Sequence, residues 1–381
     1  MKHLAEAGGL SRACFLFAGC QAPWQSIPEG SSHLLPGVRV VPGGHCESSA
    51  IANALGYLGY ELPECAVTGA GGALAFGFER STFPFLSGRN GDMRERFFAA
   101  ARIPWERSAE GIDRTEDAGW GRIADLLDRG LPVMLRVDMR YLPYLFGGKY
   151  GPAYASFGWH VIALFGIDRR DDKALVSDTA LPGLRSIALR DLHKARTSGT
   201  KVFPPRGEFF WIGREAAGYR ADWEELLTAS LDTVCAYYRE SSLEALSRYG
   251  RDLSELEQYS RNSYLLPGVL EYMAGNIEDF GTGGAAFRML YRDFLARAAA
   301  ELEAADPERA AGLGRAIAGL DEAIAEWHGL ASAFRDLSGR IKGMGAEERA
   351  EEYRILRSLA DGLHDKEKAF YNLLEASRLE A

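Results

Sequence analysis

The chain has 381 residues, of which 47% are hydrophobic, 25% charged and 11% aromatic, a mix that excludes a disordered, collagenous or purely coiled-coil protein. A net charge of −9 argues against a duplex nucleic-acid binder, and the five scattered cysteines include no CxxC pair that would announce zinc or a redox couple. The length predicts two domains, each able to bury its own core, and the odd cysteine count predicts a reducing, cytoplasmic compartment.

No apolar run reaches the ~18 residues that cross a bilayer, so no membrane association is expected. Near the N-terminus Lys2 and Arg12 precede an apolar stretch, Ala13 to Cys20, that faintly resembles a lipoprotein signal. Glu6 stands where such a signal should be positive, and a first strand or core segment is the preferred reading.

Pro42, Gly43, Gly44, His45, Cys46, Glu47, Ser48 and Ser49 lead into Ile51, Ala54, Leu55 and Leu58, which predicts a helix with Cys46 at or beside its N-terminus. The unpaired N–H groups and the positive dipole end there favour a thiolate. The other reading is a small buried hydrophobe, as most free cysteines are, and this segment alone leaves the two open. Thr68 to Gly72 reads as a Gly-rich connector from helix to strand. Pro132 to Asp138 reads as a buried strand ending at a polar residue. Asp138 is a candidate for binding a cationic amine between Tyr141 and Tyr144, or else a turn-initiating Asp ahead of Pro143.

His160 stands inside the strong β pattern Trp159 to Ile167, and Ala174 to Asp178 is a second run, so the two predict a hairpin. Folding it about residue 169 sets His160 opposite Asp178, at the ~5 Å of directly opposed side chains. A slip of one or two residues still leaves a carboxylate within reach of the ring, which is what a histidine base needs for its tautomer and orientation. Cysteine at a helix start, histidine on a strand and aspartate on the next strand give the order and logic of papain-like thiol enzymes. Between residues 183 and 206 six basic residues, Arg185, Arg190, Lys194, Arg196, Lys201 and Arg206, face Asp191 alone. That run reads first as solvated surface and second as a docking face for an acidic carrier protein.

The last extended run, Phe209 to Ile212, gives way to a helical pattern opened by Trp223, Leu226, Leu227, Leu231 and Val234. The expected division is therefore a catalytic domain over 1–215, a joint at 216–222 and a helical domain over 223–381. Gly281, Thr282, Gly283 and Gly284 precede a helix marked by Phe287, Leu290, Tyr291, Phe294 and Leu295, with Arg288 in its first turn. A Thr282 cap at a sharp turn is the default there, and a grip on the phosphate of a pantetheine arm the alternative. Leu313, Ile317, Leu320, Ile324, Trp327, Leu330, Phe334, Leu337 and Ile341 form a bundle seam, and a last helix carrying Tyr353, Leu356, Leu363, Phe370, Leu373 and Leu374 returns across Gly343 to Gly345.

Residues 42 to 215 resemble the N-terminal domain of the butirosin biosynthesis acyltransferase family. The resemblance rests on His45 to Ser48, the Thr68 to Phe78 region, Pro132 to Asp138 with Tyr141 to Tyr144, and the His160 and Asp178 runs. The helical remainder, with Ile277, Glu278, Gly281 to Gly284, Phe287 and Arg288, is similar to an uncharacterised domain often fused to it. The resemblance implies an α+β protein: a papain-like domain followed by an all-α helical bundle, with Cys46, His160 and Asp178 catalytic. In the named member an aminoacyl group moves from an acyl carrier protein to the amine of an aminoglycoside.

The expected function is a cysteine-dependent acyltransferase that moves an acyl group from a thioester of a carrier protein or coenzyme A, through acyl-Cys46, to a small-molecule amine in specialised-metabolite biosynthesis. The Cys46 N–H is one candidate oxyanion donor. Gln21 and Gln25 are too distant to assign, which makes His45 the candidate second donor, with Glu47 a further substrate-side candidate. No metal or organic cofactor is expected, because no His/Cys/Asp/Glu set has ligand spacing. The rivals are a thiol peptidase or amidase, in which water takes the acyl group, and a non-catalytic binding or scaffold protein with a vestigial triad.

Overall fold

The computed structural model describes residue 24 and residues 26–80, 84–108, 119–201, 203–214, 217–259 and 265–379. Ala13 to Cys20, Gln21 and Gln25 lie outside the described residues. The first part of the chain runs β1 (Ser32–Leu34), α1 (Cys46–Leu58), α2 (Glu64–Ala70), β2 (Leu74–Glu79), β3 (Phe85–Arg89), α3 (Met93–Ala101), β4 (Trp105–Arg107), α4 (Trp120–Asp128), β5 (Val133–Val137), β6 (His160–Asp168), β7 (Lys173–Ser177), β8 (Arg185–Ala188), α5 (Leu189–Arg196) and β9 (Phe209–Ile212). Among the described residues the elements after it are helices: α6 (Trp223–Tyr237), α7 (Leu243–Leu253), α8 (Leu256–Tyr259), α9 (Leu266–Glu278), α10 (Arg288–Leu302), α11 (Pro307–Arg340) and α12 (Ala346–Leu379). The protein is thus α+β, with a sheet-rich N-terminal region and a helical C-terminal region.

Thr68, Gly69 and Ala70 belong to α2 rather than to a connector, and only Gly71 and Gly72 make the turn into β2. Gly69 is on that helix because it faces the Phe294 ring, where any Cβ would overlap.

The main sheet is antiparallel in the order β4, β9, β5, β6, β7, β8, and β1 pairs with the far end of β6. Its centre, β6, is buried along all nine residues, so its side chains serve both faces in alternation. Val161, Ala163 and Phe165 meet Ile51, Ala54 and Leu55 of α1, whereas Ile162, Leu164 and Ile167 meet the apolar faces of α4 and α5. This is why α1 lies flat on the sheet and why its first residue sits near the start of β6.

The helical region is organised by α11 and α12, two antiparallel helices of 34 residues each. Leu313, Leu320, Trp327, Leu330, Phe334, Leu337 and Ile341 of the expected seam are buried, and Ile317 and Ile324 partly so. The joint expected at 216–222 marks the change from strands to helices, and apolar packing runs straight across it. One core joins α1, α2 and α3 to Leu227 and Leu231 of α6, Phe294 of α10, Leu320 of α11 and Phe370 of α12. A second joins the β2–β3 hairpin, through Phe76 and Leu86, to α7, α9, α11 and α12. Among the described residues no helix is long and apolar enough to cross a membrane.

A chain ended at residue 215 lacks α6, α10, α11 and α12, which share the core holding Val67, Phe97 and Phe98. Such a fragment is expected to bind the dye ANS and to lose near-UV circular dichroism, as expanded states with exposed apolar surface do. A fragment that is monomeric, dye-silent and cooperatively melting would contradict the shared core.

Candidate functional site

Cys46 is the first residue of α1, and His45 is its N-cap, in extended conformation at φ −132° and ψ 140°. The His45 Nδ1 accepts from the Ser48 backbone N–H at 3.4 Å, which leaves the ring proton on Nε2. That Nε2 lies 3.9 Å from the Cys46 sulfur, so the capping histidine presents a donor to the thiol.

The loop ahead of the helix is stitched on three sides. Asn53, about two turns into α1, accepts from the Val41 N–H at 2.8 Å and donates back to the Val41 carbonyl at 3.0 Å. Glu64, at the start of α2, accepts from the Gly44 N–H, the His45 N–H and the Ser48 hydroxyl, each at 2.8 Å. Gly43 donates to the Thr179 carbonyl at 2.9 Å, which ties the loop to the residue following Asp178. Glycine is required at 43 because a Cβ there would run into Ser49 and the Glu64 carboxylate. No feature of the sequence singles out Glu64: its role depends on where α2 folds back, which the linear spacing does not encode.

His160 opens β6, and its Nε2 donates to Asp178 Oδ1 at 2.7 Å. His160 and Cys46 each stabilise the other's charged form, and with Nε2 committed to Asp178 the nitrogen left for the sulfur is Nδ1. The expected hairpin is present with a different register. The turn sets Asp168 opposite Lys173, and a bulge between Leu164 and Gly166 takes back one residue, so Ala163 faces Ser177 in a frame two residues from the symmetric fold about 169, and Asp178 lies past the end of β7. His160 and Asp178 meet on the diagonal rather than directly across, a distance that long side chains still bridge. Asp178 is held by two further donors, the Tyr144 hydroxyl at 2.9 Å and the Thr179 hydroxyl at 3.0 Å.

The charges follow from this geometry. Burial would push the Cys46 thiol up, but the attraction of His45 and the His160 and His45 hydrogen bonds outweigh it and hold the thiol well below its ordinary value. Burial would push His160 down, yet the charge and hydrogen bond of Asp178, followed by those of Cys46, raise it to about 10. Asp178 stays below the usual carboxylate range despite burial, chiefly because of His160. The arrangement favours a thiolate at Cys46 beside an imidazolium at His160 and a carboxylate at Asp178. Cys46 is partly exposed, while His45, His160 and Asp178 are buried.

Other expected residues stand elsewhere. Glu47 is buried beside Cys46, but its carboxylate pairs with Arg94 at 3.3 Å rather than facing the sulfur. Asp138 is fully buried and accepts from Arg140 N–H, Phe157 N–H, the Ser156 hydroxyl and the Ser198 hydroxyl, so it caps and pins loops instead of offering an oxygen to an amine. Tyr141 stacks edge-on against Tyr150 under Lys194, apart from Tyr144, whose hydroxyl serves Asp178. Thr282 donates to the Ile277 carbonyl and accepts from Gly284 N–H, and Gly281 adopts a left-handed turn at φ 71° beside it. Arg288 is wholly buried against Glu367 at 2.8 Å, so it is closed to an incoming phosphate; a carboxylate 79 residues downstream consumed the charge that looked free. Within the basic run, Arg196 is buried over the Trp120 ring, so the six cations do not share one surface. Among the described residues no group of three or more His, Cys, Asp and Glu could hold a metal ion.

The three described cysteines separate cleanly in charge. Burial pushes the Cys65 thiol up to about 11 and Cys235 up to about 12, so at pH 7 their thiolate fractions are on the order of 10⁻⁴ and 10⁻⁵. Iodoacetamide at pH 7, read by peptide mass spectrometry, is expected to label Cys46 at least a hundredfold faster. As pH falls from 7 the Cys46 rate should hold level until it passes the lowered thiol value, whereas an ordinary cysteine loses tenfold per unit. Equal labelling of Cys46 and Cys65 would remove the activated thiolate.

The family model for butirosin biosynthesis protein H, N-terminal, matches residues 45–179, from His45 to the residue after Asp178. A domain of unknown function, DUF4872, matches residues 190–374, and so includes β9, the strand between β4 and β5 of the sheet. No curated protein matches the chain. The chain thus carries a domain of the butirosin biosynthesis protein H N-terminal family followed by a domain of the DUF4872 family.

Proposed function

We propose that the protein is a cysteine-dependent acyltransferase that takes an acyl or aminoacyl group from the thioester of a carrier protein or of coenzyme A and delivers it to a small-molecule amine in specialised-metabolite biosynthesis. The observation that carries this reading is the convergence on Cys46 of two histidines, His160 backed by Asp178 and His45 with its Nε2 at 3.9 Å from the sulfur. A papain-like order of helix start, strand and neighbouring strand supports it, as does the family's place in butirosin biosynthesis.

In this mechanism the Cys46 thiolate attacks the thioester carbonyl and forms a new carbon–sulfur bond. The tetrahedral oxyanion is met by the Cys46 backbone N–H, free at the helix start, and by His45 Nε2–H. The old carbon–sulfur bond breaks, and the departing thiolate takes the proton from His160 Nδ1. One thioester has replaced another at almost no change in free energy, which is why a sulfur nucleophile suits the task. The amine then attacks acyl-Cys46, His160 takes its proton, and the Cys46 thiolate leaves. The products are an amide and a free thiol, and the resting ion pair is restored. Asp178 holds Nε2–H throughout, so Nδ1 always faces the reacting atoms. The reading calls for no resident metal or organic cofactor; a phosphopantetheine arm arrives with the donor.

The test is to mix the full chain with an aminoacyl thioester of pantetheine and follow intact mass. A Cys46 adduct is expected, absent from Cys46→Ala, and discharged faster by added amine than by water. Discharge at one rate with or without amine would replace the transferase by a thiol hydrolase. No adduct from any thioester, despite a reactive Cys46, would favour a binding protein. Asp178→Ala is expected to slow acylation by roughly 10²-fold, while Asp178→Asn retains most of the rate because its amide oxygen still accepts Nε2–H.

A further inference from the structure

Five successive residues, Gly283, Gly284, Ala285, Ala286 and Phe287, have positive φ of 69°, 92°, 45°, 49° and 73°. Three of them carry side chains, for which the left-handed region is sparsely populated and persists only where the surroundings over-determine it. Here they do. Arg288 Nη1 donates to the Ala286 carbonyl at 2.7 Å, Phe287 N–H donates to the Thr282 carbonyl at 3.1 Å, and Ala285 N–H reaches Glu278 Oε2 at 3.4 Å. Arg288 is itself locked by Glu367 and by the Ala75 and Gly88 carbonyls of the β2–β3 hairpin. Gly88 backs directly onto Ala286, so no side chain fits between them.

This forced turn is pressed onto the loop that carries the thiol. A Cβ on Gly44 would lie 2.8 Å from the Gly283 Cα, so the two glycines touch backbone to backbone. The Phe287 ring meets the His45 ring edge to face, with centroids 5.1 Å apart and planes at 67°. His45 therefore has Ser48 and Glu64 fixing it from α1 and α2, and Phe287 fixing it from the helical region.

We infer that the Gly283–Phe287 turn is a clamp on the nucleophile loop, with Phe287 a positioning residue that holds the His45 ring so that Nε2 points at the Cys46 sulfur. The helical domain of unknown function thereby supplies part of the site, although it contributes none of the reacting groups. The inference rests on Cys46 being the nucleophile. The ionisable groups around the sulfur are His45 and His160, with Asp178 behind His160, Glu64 behind the His45 backbone, and Arg89 over the Phe287 ring at 5.9 Å.

The experiment compares the pH profile of Cys46 alkylation by iodoacetamide in the full wild-type chain, Phe287→Ala and Phe287→Tyr, with melting followed by circular dichroism. Phe287→Ala is expected to move the midpoint of the profile up by about one pH unit, a tenfold slower reaction below the midpoint, and Phe287→Tyr to restore it. A Phe287→Ala protein that melts like wild type and keeps the wild-type profile would overturn the clamp. Should Phe287→Ala fail to fold, Gly44→Ala carries the test from the other side, because its Cβ separates the two loops: the same upward shift supports the clamp and an unchanged profile overturns it. A wild-type Cys46 no more reactive than Cys65 would instead take down the nucleophile itself, so the two failures are distinguishable.

Discussion

A negatively charged sulfur beside a mostly closed interior is unfavourable unless positive charge and donors are fixed around it, and the organisation of this site answers that constraint. Desolvation acts to protonate Cys46; His45 on one side and His160 on the other oppose it and prevail. Neither imidazole could do so if it were free to turn. His160 is aimed by Asp178, which is in turn held by Tyr144 and Thr179. His45 is aimed by its duty as helix cap and by the Phe287 ring. The favourable field of the helix start adds to these interactions, but the geometry of two rings decides the sign.

The parts of the site legible in the sequence are those whose signal is local. A glycine pair before a cysteine and a helical apolar pattern after it placed Cys46 at N1 of α1, and an unbroken β run placed His160 on a strand. The partnership with Asp178 was legible only in outline, because the turn and a one-residue bulge at Leu164 and Gly166 together set the register two residues from the symmetric one, and no residue type there announces it. The diagonal contact tolerates that shift, which is why the pairing survives an inexact register. Where isolated charges looked available, folding had already committed them. Asp138 receives four donors from three separate loops, and Arg288 meets Glu367 from a helix almost eighty residues away. Long-range satisfaction of buried charge is required by physics but is not written in spacing. The same holds for Glu64 and Phe287, whose importance exists only once α2 and α10 are in place.

The arrangement of α1 on the sheet explains why helices fill so much of the chain. One face of the sheet is covered by α4 and α5, but α1, α2 and α3 cover the other face only as a first layer and present their own outer surfaces to α6, α10, α11 and α12. The helical region is thus the outer half of one continuous interior. The extended chain before Cys46, the β2–β3 hairpin and the Gly283–Phe287 turn lie where these layers meet, so three segments distant in sequence share one wall of the site.

The position of β9 bears on how the chain is made. It is the strand between β4 and β5, yet it is synthesised after every other strand of the sheet, and Glu367, which locks Arg288, is translated later still. A ribosome releases residues in order, at about 5–20 per second, and N-terminal segments ordinarily fold first. Here the early segments have nothing complete to fold onto. The surroundings of Cys46 are therefore completed only near the end of translation, once β9 has closed the sheet and Glu367 has met Arg288.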